Sequence, residues 1–257
     1  MMRDALPAAA GAPATDAAWA ALREAASAPY RAAGRWARHW ARGKLAGDPV
    51  FRALLERGEL PAQARVLDIG CGQGLVASLL QASADAARAG AWPAAWPAAP
   101  SASAYTGIEL MTDEVARAQA ALQALPLQPR FVHADMCRAD FPACDLAVVL
   151  DVLHYVDPAA QQAVLARVRD ALQPSQGRLL LRIGDADSRS GFAISQCVDR
   201  IVTMARGHRV PPTFGRPLAS WVGLLEALGF AVRTVPMSRG TPFANVLLVA
   251  DLDGHGR

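Results

Sequence analysis

The chain predicts an α/β fold with a mostly parallel sheet, preceded by a helical segment. Three observations carry this. From about Pro61 onward, short apolar runs alternate with stretches of helical periodicity, the pattern of strands joined by crossover helices. Leu146–Leu150 is apolar throughout, as a strand covered on both faces should be. Val66-Leu67-Asp68-Ile69 runs into Gly70, Gly72 and Gly74, which reads as a buried strand, a glycine turn and the opening of a helix.

The elements follow in order. Residues 1–14, rich in Ala, Pro and Gly, read as a disordered tail. Thr15 or Asp16 caps a first helix carrying Trp19 and Leu22. A second helix over about Ala28 to Leu45 places Tyr30, Ala33, Trp36, Ala37 and Trp40 on its apolar side. Asp48-Pro49 suits the cap and first turn of a third, short helix, which points Phe51, Leu54 and Leu55 inward and stops at Gly58. These helices span 15–60, and residues 61–252 form the alternating domain.

The first strand is Arg65–Ile69, and its helix begins at Leu75 and runs to about Gln81. The segment 82–104 holds Trp92-Pro93 and Trp96-Pro97 in an Ala/Pro background, which predicts an inserted surface loop. A second strand, Tyr105–Leu110, leads to a helix from near Thr112. Asp113 and Glu114 suit its positive end, and Val115, Ala118, Leu122 and Leu125 form its buried stripe. A third strand covers Arg130–Ala134 and a fourth Leu146–Leu150. Asp157-Pro158 opens a helix with Val164, Leu165, Val168 and Leu172 on its core side, and Pro174 stops it. A fifth strand is Arg178–Ile183. A helix over about Phe192 to Arg206, another around Ser220–Leu228, and strands Ala231–Val235 and Asn245–Ala250 complete the chain.

Composition narrows the function classes. The 257 residues are 53% hydrophobic, enough for one α/β domain plus a helical addition. No run of 18 apolar residues occurs, and residues 1–20 lack the basic-then-apolar order of a secretion signal, so a cytoplasmic protein without a membrane span is expected. Cys71, Cys137, Cys144 and Cys197 show neither C-x-x-C pairing nor a histidine at zinc spacing, so reduced, structural thiols and no metal are expected. A net charge of +3 is too mild to imply nucleic acid.

The functional signal centres on the glycine turn. Gly70, Gly72 and Gly74 stand at every second residue, so the backbone can turn tightly and a ligand can lie against it. The free N–H groups of the following helix face that ligand. Asp68 ahead of this G-x-G-x-G turn resembles the first motif of class I S-adenosylmethionine-dependent methyltransferases, and the resemblance extends over about residues 62–250. It implies a Rossmann-like sheet ending in an antiparallel strand, and S-adenosyl-L-methionine as cofactor. Asp68 would serve the cofactor's amino group, and Glu109, at the end of the second strand, its ribose hydroxyls. Asp135 and Met136, after the third strand, would face the adenine. The implied cofactor set is Asp68, Gly70, Cys71, Gly72, Gly74, Glu109, Leu110, Asp135, Met136 and Asp151.

The segment Asp151-Val152-Leu153-His154-Tyr155 follows the fourth strand, where open α/β sheets receive ligands. His154 is the candidate general base, since an imidazole titrates near neutrality. It could equally serve as a wall of the cofactor pocket. Asp135 could equally cap a turn, and Glu109 its helix.

Arg31, Arg35, Arg38 and Arg42 share one helix face, read either as solvated surface or as a docking face for a carboxylate substrate or an acidic carrier protein. Tyr30, Arg35, Trp36, Trp40, Tyr155 and His208 are the candidate substrate contacts, with Arg206 and Arg209 beside His208. The expected reaction is methyl transfer to a small molecule at a hydroxyl or carboxyl oxygen. Carbon or nitrogen acceptors, a carrier-bound substrate, and a non-catalytic scaffold with this fold stay open. A nicotinamide-dependent dehydrogenase would want G-x-G-x-x-G, and the chain offers only the looser Gly72, Gly74, Ala77. DNA amino-methylation is disfavoured because Asp151-Val152-Leu153-His154 stands where an N/D-P-P motif belongs. Asp151, Asp185 and Asp187 fit a metal-assisted mechanism only loosely.

Overall fold

The computed structural model describes residues 12–184, 213–237 and 245–252. Seven strands form one sheet in the order β3-β2-β1-β4-β5-β7-β6. They are β1 Ala64–Ile69, β2 Ala102–Glu109, β3 Arg130–His133, β4 Leu146–Leu150, β5 Arg178–Gly184, β6 Phe230–Pro236 and β7 Asn245–Leu252. The β1–β2, β1–β4, β2–β3 and β4–β5 pairs are parallel. β7 inserts antiparallel between β5 and β6. The chain order reverses between β1 and β4, which puts the ligand crevice beyond the carboxyl ends of those strands.

Helices α1 Ala12–Ser27, α2 Arg35–Gly47 and α3 Pro49–Glu56, with a 3-10 turn Ala28–Ala33 between the first two, precede the sheet. α4 Leu75–Arg88, α5 Thr112–Leu122, α6 Pro158–Leu172 and α7 Leu218–Ala227 follow strands or lead into them. Strand residues alternate between two cores. Val66, Val148, Leu180 and Val249 pack with α1–α5, whereas Leu67, Val149, Leu181 and Leu248 pack with α6 and α7. The N-terminal helices therefore lie on the same face of the sheet as α4 and α5. Ser78 Oγ on α4 donates to Ala26 O on α1 at 2.6 Å, a buried polar tie within that apolar contact.

Several boundaries differ from the sequence reading. Residues 12–14 belong to α1 rather than to a tail, and residues 1–11 lie outside the described part. The helix expected over 28–45 is broken at Gly34, whose φ of 105° and ψ of 163° reset the helical phase. Ala37, Ala41 and Leu45 consequently face inward, and Trp36, expected on the apolar side, is 64% exposed. The Ala/Pro insertion is shorter than predicted, because alanine-rich 82–88 continues α4 and Ala102–Ala104 begin β2. The remaining loop is folded onto the protein. Trp96 is buried, Trp92 packs edge-on against it at 5.3 Å, and Trp92 Nε1 donates to Pro97 O at 2.8 Å. The helix predicted over 192–206 lies outside the described residues, as do Asp185, Asp187, Cys197, Arg206, His208 and Arg209.

Candidate active site

The glycine turn is built from three glycines with two different duties. All have positive φ: 71° at Gly70, 53° at Gly72 and 76° at Gly74. A Cβ on Gly70 would sit 2.2 Å from Val152 Cγ1, and one on Gly74 2.7 Å from the Phe131 ring, so these two glycines permit close packing. A Cβ on Gly72 would meet nothing within 4 Å. Only Gly72 borders open space, which is the cradle a ligand needs. Gly107, in β2, has the same packing role as Gly70, since a Cβ there would lie 2.6 Å from Cys71 Sγ. Cys71 is thereby seated against the sheet, and burial pushes its thiol well above the ordinary range.

Two acidic groups flank the turn. Glu109 Oε2 accepts from Gly72 N–H and Oε1 from Met111 N–H, both at 2.9 Å, so the carboxylate bridges the turn and the exit of β2. Beside it Leu110 is 61% exposed, an apolar side chain at the sheet's carboxyl edge where a flat ring could cover it. Asp68 is buried, and its Oδ2 accepts from Tyr105 Oη at 2.5 Å. Burial pushes Asp68 up to about 7; the Tyr105 hydrogen bond opposes this and the nearby Glu109 charge adds to it. A buried carboxyl held by a neutral hydroxyl is suited to receiving a cation.

Tyr30, expected to meet substrate, instead closes the seam between the N-terminal helices and the turn. It is fully buried and donates to Gln73 O at 2.8 Å. Asp135 takes the turn-capping position weighed from the sequence, with Oδ1 accepting from Cys137 N–H at 2.8 Å. Met136 is partly buried, and its carbonyl accepts from Arg167 Nη1 at 3.0 Å. Asp151 adopts φ 58° and pairs with Arg182 of β5, Nε to Oδ1 at 2.9 Å. Of the basic face, Arg38 and Arg42 are bound to Glu24 of α1, whereas Arg31 and Arg35 are exposed. Trp40 is partly buried against the core.

His154 and Tyr155 stand on a short 3-10 turn, Leu153–Tyr155, beyond β4, with ring centroids 4.1 Å apart. Gln161 of α6, buried and missed from the sequence, organises this turn. Its Nε2 donates to Leu153 O at 3.1 Å and to Val156 O and Phe214 O at 3.0 Å, while its Oε1 accepts from Arg216 Nε at 2.6 Å. Phe214 N–H also donates to His154 O at 2.8 Å. The 213–217 segment is thus fastened to the turn that carries His154. Gln161→Leu removes the donor to these three carbonyls and the acceptor of Arg216 Nε, so a loss of about 2 kcal/mol and faster proteolysis near residue 214 are expected. Denaturant melts and limited proteolysis check this. The only sequence signal for Gln161 was a polar residue on the core side of an amphipathic helix.

Sheet order, antiparallel β7 and a glycine turn at the strand-order reversal together define a class I methyltransferase fold. A family model described as a methyltransferase domain matches residues 37–235, and the chain belongs to that family. It is a class I S-adenosylmethionine-dependent methyltransferase. Among solved structures, magnesium protoporphyrin IX methyltransferase from Synechocystis PCC 6803, with bound SAM, is 18% identical at TM-score 0.54, covering 98% of this chain and 100% of that one. An O-methyltransferase family protein from Burkholderia thailandensis is 17% identical at TM-score 0.58, covering 88% of this chain and 62% of that one. The pyocyanin biosynthetic protein PhzM is 20% identical at TM-score 0.57, covering 84% and 58%. At these identities the likeness is one of fold. No match is found among curated protein sequences.

Proposed function

We propose that the protein transfers the methyl group of S-adenosylmethionine to an oxygen, hydroxyl or carboxyl, of a small organic acceptor. The observation that carries this is His154 beyond β4, on the ligand side of the sheet and held there through Gln161, with the exposed Tyr155 ring beside it. The cofactor, when bound, supplies a methyl carbon already activated by its sulfonium, so alignment does most of the work. The glycine turn with open Gly72 receives it, Asp68 meets its ammonium, Glu109 accepts from its ribose, and Leu110, Asp135 and Met136 bound its adenine. Cys71, Gly70 and Gly74 hold the turn in shape. His154 takes the proton from an acceptor hydroxyl, and a carboxylate acceptor needs no base. The structural relatives act on a porphyrin and in the making of a phenazine pigment, and both names fit a planar organic substrate.

The helices of 15–60 form the lid of this site, and exposed Trp36 with Arg31 and Arg35 provides a face for an acidic group, on a free substrate or on a carrier protein. Tyr30 and Trp40 support the lid from beneath. Among the described residues no helix is long and apolar enough to cross a membrane, and Cys71, Cys137 and Cys144 are free thiols, which suits a cytoplasmic enzyme.

The test is incubation with S-adenosylmethionine and a panel of phenols, carboxylic acids, amines and activated carbon acids, following S-adenosylhomocysteine release and the methyl resonance of the product. An O-methyl signal supports the reading, and turnover confined to amines or carbon acids overturns it. On a phenol, His154→Gln should lower kcat by 10²–10³-fold and remove the acidic limb of the rate profile. An unchanged profile removes the base role.

A further inference from the structure

Arg182 is a charged residue inside β5, an interior strand of the sheet, where an apolar side chain is the rule. Its neighbours Leu179, Leu180, Leu181 and Ile183 are all buried and apolar, and Arg182 itself is 3% exposed. It reaches two carboxylates, Asp48 and Asp151, that lie 134 and 31 positions away in the sequence. Nη1 and Nη2 donate to Asp48 Oδ1 and Oδ2 at 2.5 and 2.8 Å, while Nε and Nη2 engage Asp151. Lys44 Nζ adds a further contact to Asp48 at 2.8 Å. Two cations and two anions balance, which is the condition for keeping such a cluster out of water. Burial alone would raise the Asp48 carboxyl, but Arg182 and Lys44 hold it well below the usual carboxylate range.

Both carboxylates sit at structural joints. Asp48 is the N-cap of α3, its Oδ1 accepting from Val50 N–H at 3.1 Å. Asp151 follows β4 in a left-handed conformation, and its own N–H donates to Arg182 O at 3.2 Å. The next residue, Val152, is the one pressed against Gly70 of the glycine turn. A single guanidinium therefore fastens the N-terminal helices to the β4 exit, and the β4 exit abuts the cofactor turn.

We propose that Arg182 is a positioning residue for cofactor binding: through Asp48 it fixes α2 and α3 over the sheet, and through Asp151 it sets Val152 against Gly70. Docking of the N-terminal helices and the shape of the cofactor turn are then one equilibrium, so each biases the other. This rests on S-adenosylmethionine being the cofactor of the glycine turn.

The test uses the full chain with S-adenosylhomocysteine, by calorimetry and by hydrogen exchange. Asp48→Asn keeps an oxygen for the Val50 cap and removes only the charge, and Asp151→Asn keeps a residue that tolerates the left-handed backbone. Each single variant should weaken S-adenosylhomocysteine binding about tenfold, and the double variant by much less than the product of the two. In the parent, the ligand should slow exchange across 35–56, a segment that contributes no residue to the glycine turn. Affinities within twofold of the parent in both single variants, even with faster exchange in 35–56, would reduce the cluster to a staple and overturn the proposal. Absence of binding by the parent itself would overturn the cofactor reading, and this inference with it.

Discussion

Gly70→Ala and Gly72→Ala, chemically identical changes two residues apart, are expected to fail in different ways. At Gly70 the new methyl group would lie 2.2 Å from Val152 Cγ1 and 2.9 Å from its Cβ, and the backbone φ of 71° is itself unfavourable for alanine. The left-handed conformation costs about 1–2 kcal/mol and overpacking a further 1–3 kcal/mol. A fall of roughly 10 °C in the melting midpoint is the expected result for a domain of this size. At Gly72 the φ of 53° carries the conformational cost alone, because nothing stands within 4 Å of the added atom. That variant should melt only a few degrees lower. Its loss is expected in binding: in the proposed site the methyl enters the space given to the cofactor, and S-adenosylhomocysteine affinity should drop at least tenfold by calorimetry. A Gly72→Ala protein that binds as tightly as the parent would mean that the ligand does not cross the turn at this point.

The contrast between those glycines also marks how far the sequence could be read. The G-x-G-x-G spacing identified the turn and its cofactor class. It could not say which glycine borders open space, because that depends on Phe131 of β3 and on Val152 beyond β4. The sheet was legible for a local reason: each strand was a short apolar run bounded by helical periodicity. The length of α4 was obscured because alanine-rich sequence reads as helix or as filler until the tryptophan–proline pairs are placed. Trp36 and Tyr30 were assigned to one helical stripe, and Gly34 breaks the phase between them. Arg182 carried a visible anomaly, an arginine in an apolar strand, but its partners lie 134 and 31 positions away and only the fold brings them together. Pairing of this kind has no periodic trace, which is why the ion cluster and the Gln161 hub went unread while the glycine turn did not.

Cofactor affinity should rise with pH between 5 and 7.5, and Asp68 should be the reason. Its carboxyl is buried, accepts from no cation among the described residues, and is pushed by burial up to about 7. The groups around it are Tyr105 at hydrogen-bond distance, Glu109, Cys71 and Tyr30. Burial pushes Tyr105, Tyr30 and Cys71 well above their ordinary values, so they stay neutral through this range. An ammonium group entering the site favours ionised Asp68, and below pH 7 that ionisation must accompany binding. The association constant should therefore climb about tenfold per pH unit up to 7 and then level, with close to one proton released per ligand at pH 6.

Stability without ligand has the opposite sign. The folded-state value lies above the ordinary 3.8, so the folded protein holds a proton that the unfolded chain has lost. This contribution is fully present below pH 3.8 and disappears as pH rises through about 7, a change on the order of 4 kcal/mol. Ligand-induced stabilisation should accordingly be larger at pH 7.5 than at pH 6. Calorimetry in buffers of differing ionisation enthalpy counts the proton directly. Tyr105→Phe removes the one hydrogen bond that favours the ionised form and should move the midpoint up by about one pH unit. Asp68→Asn should bind weakly at every pH. A flat affinity profile in the parent, with no proton exchanged, would show that Asp68 is already ionised in the empty site and that Tyr105 suffices to hold its charge.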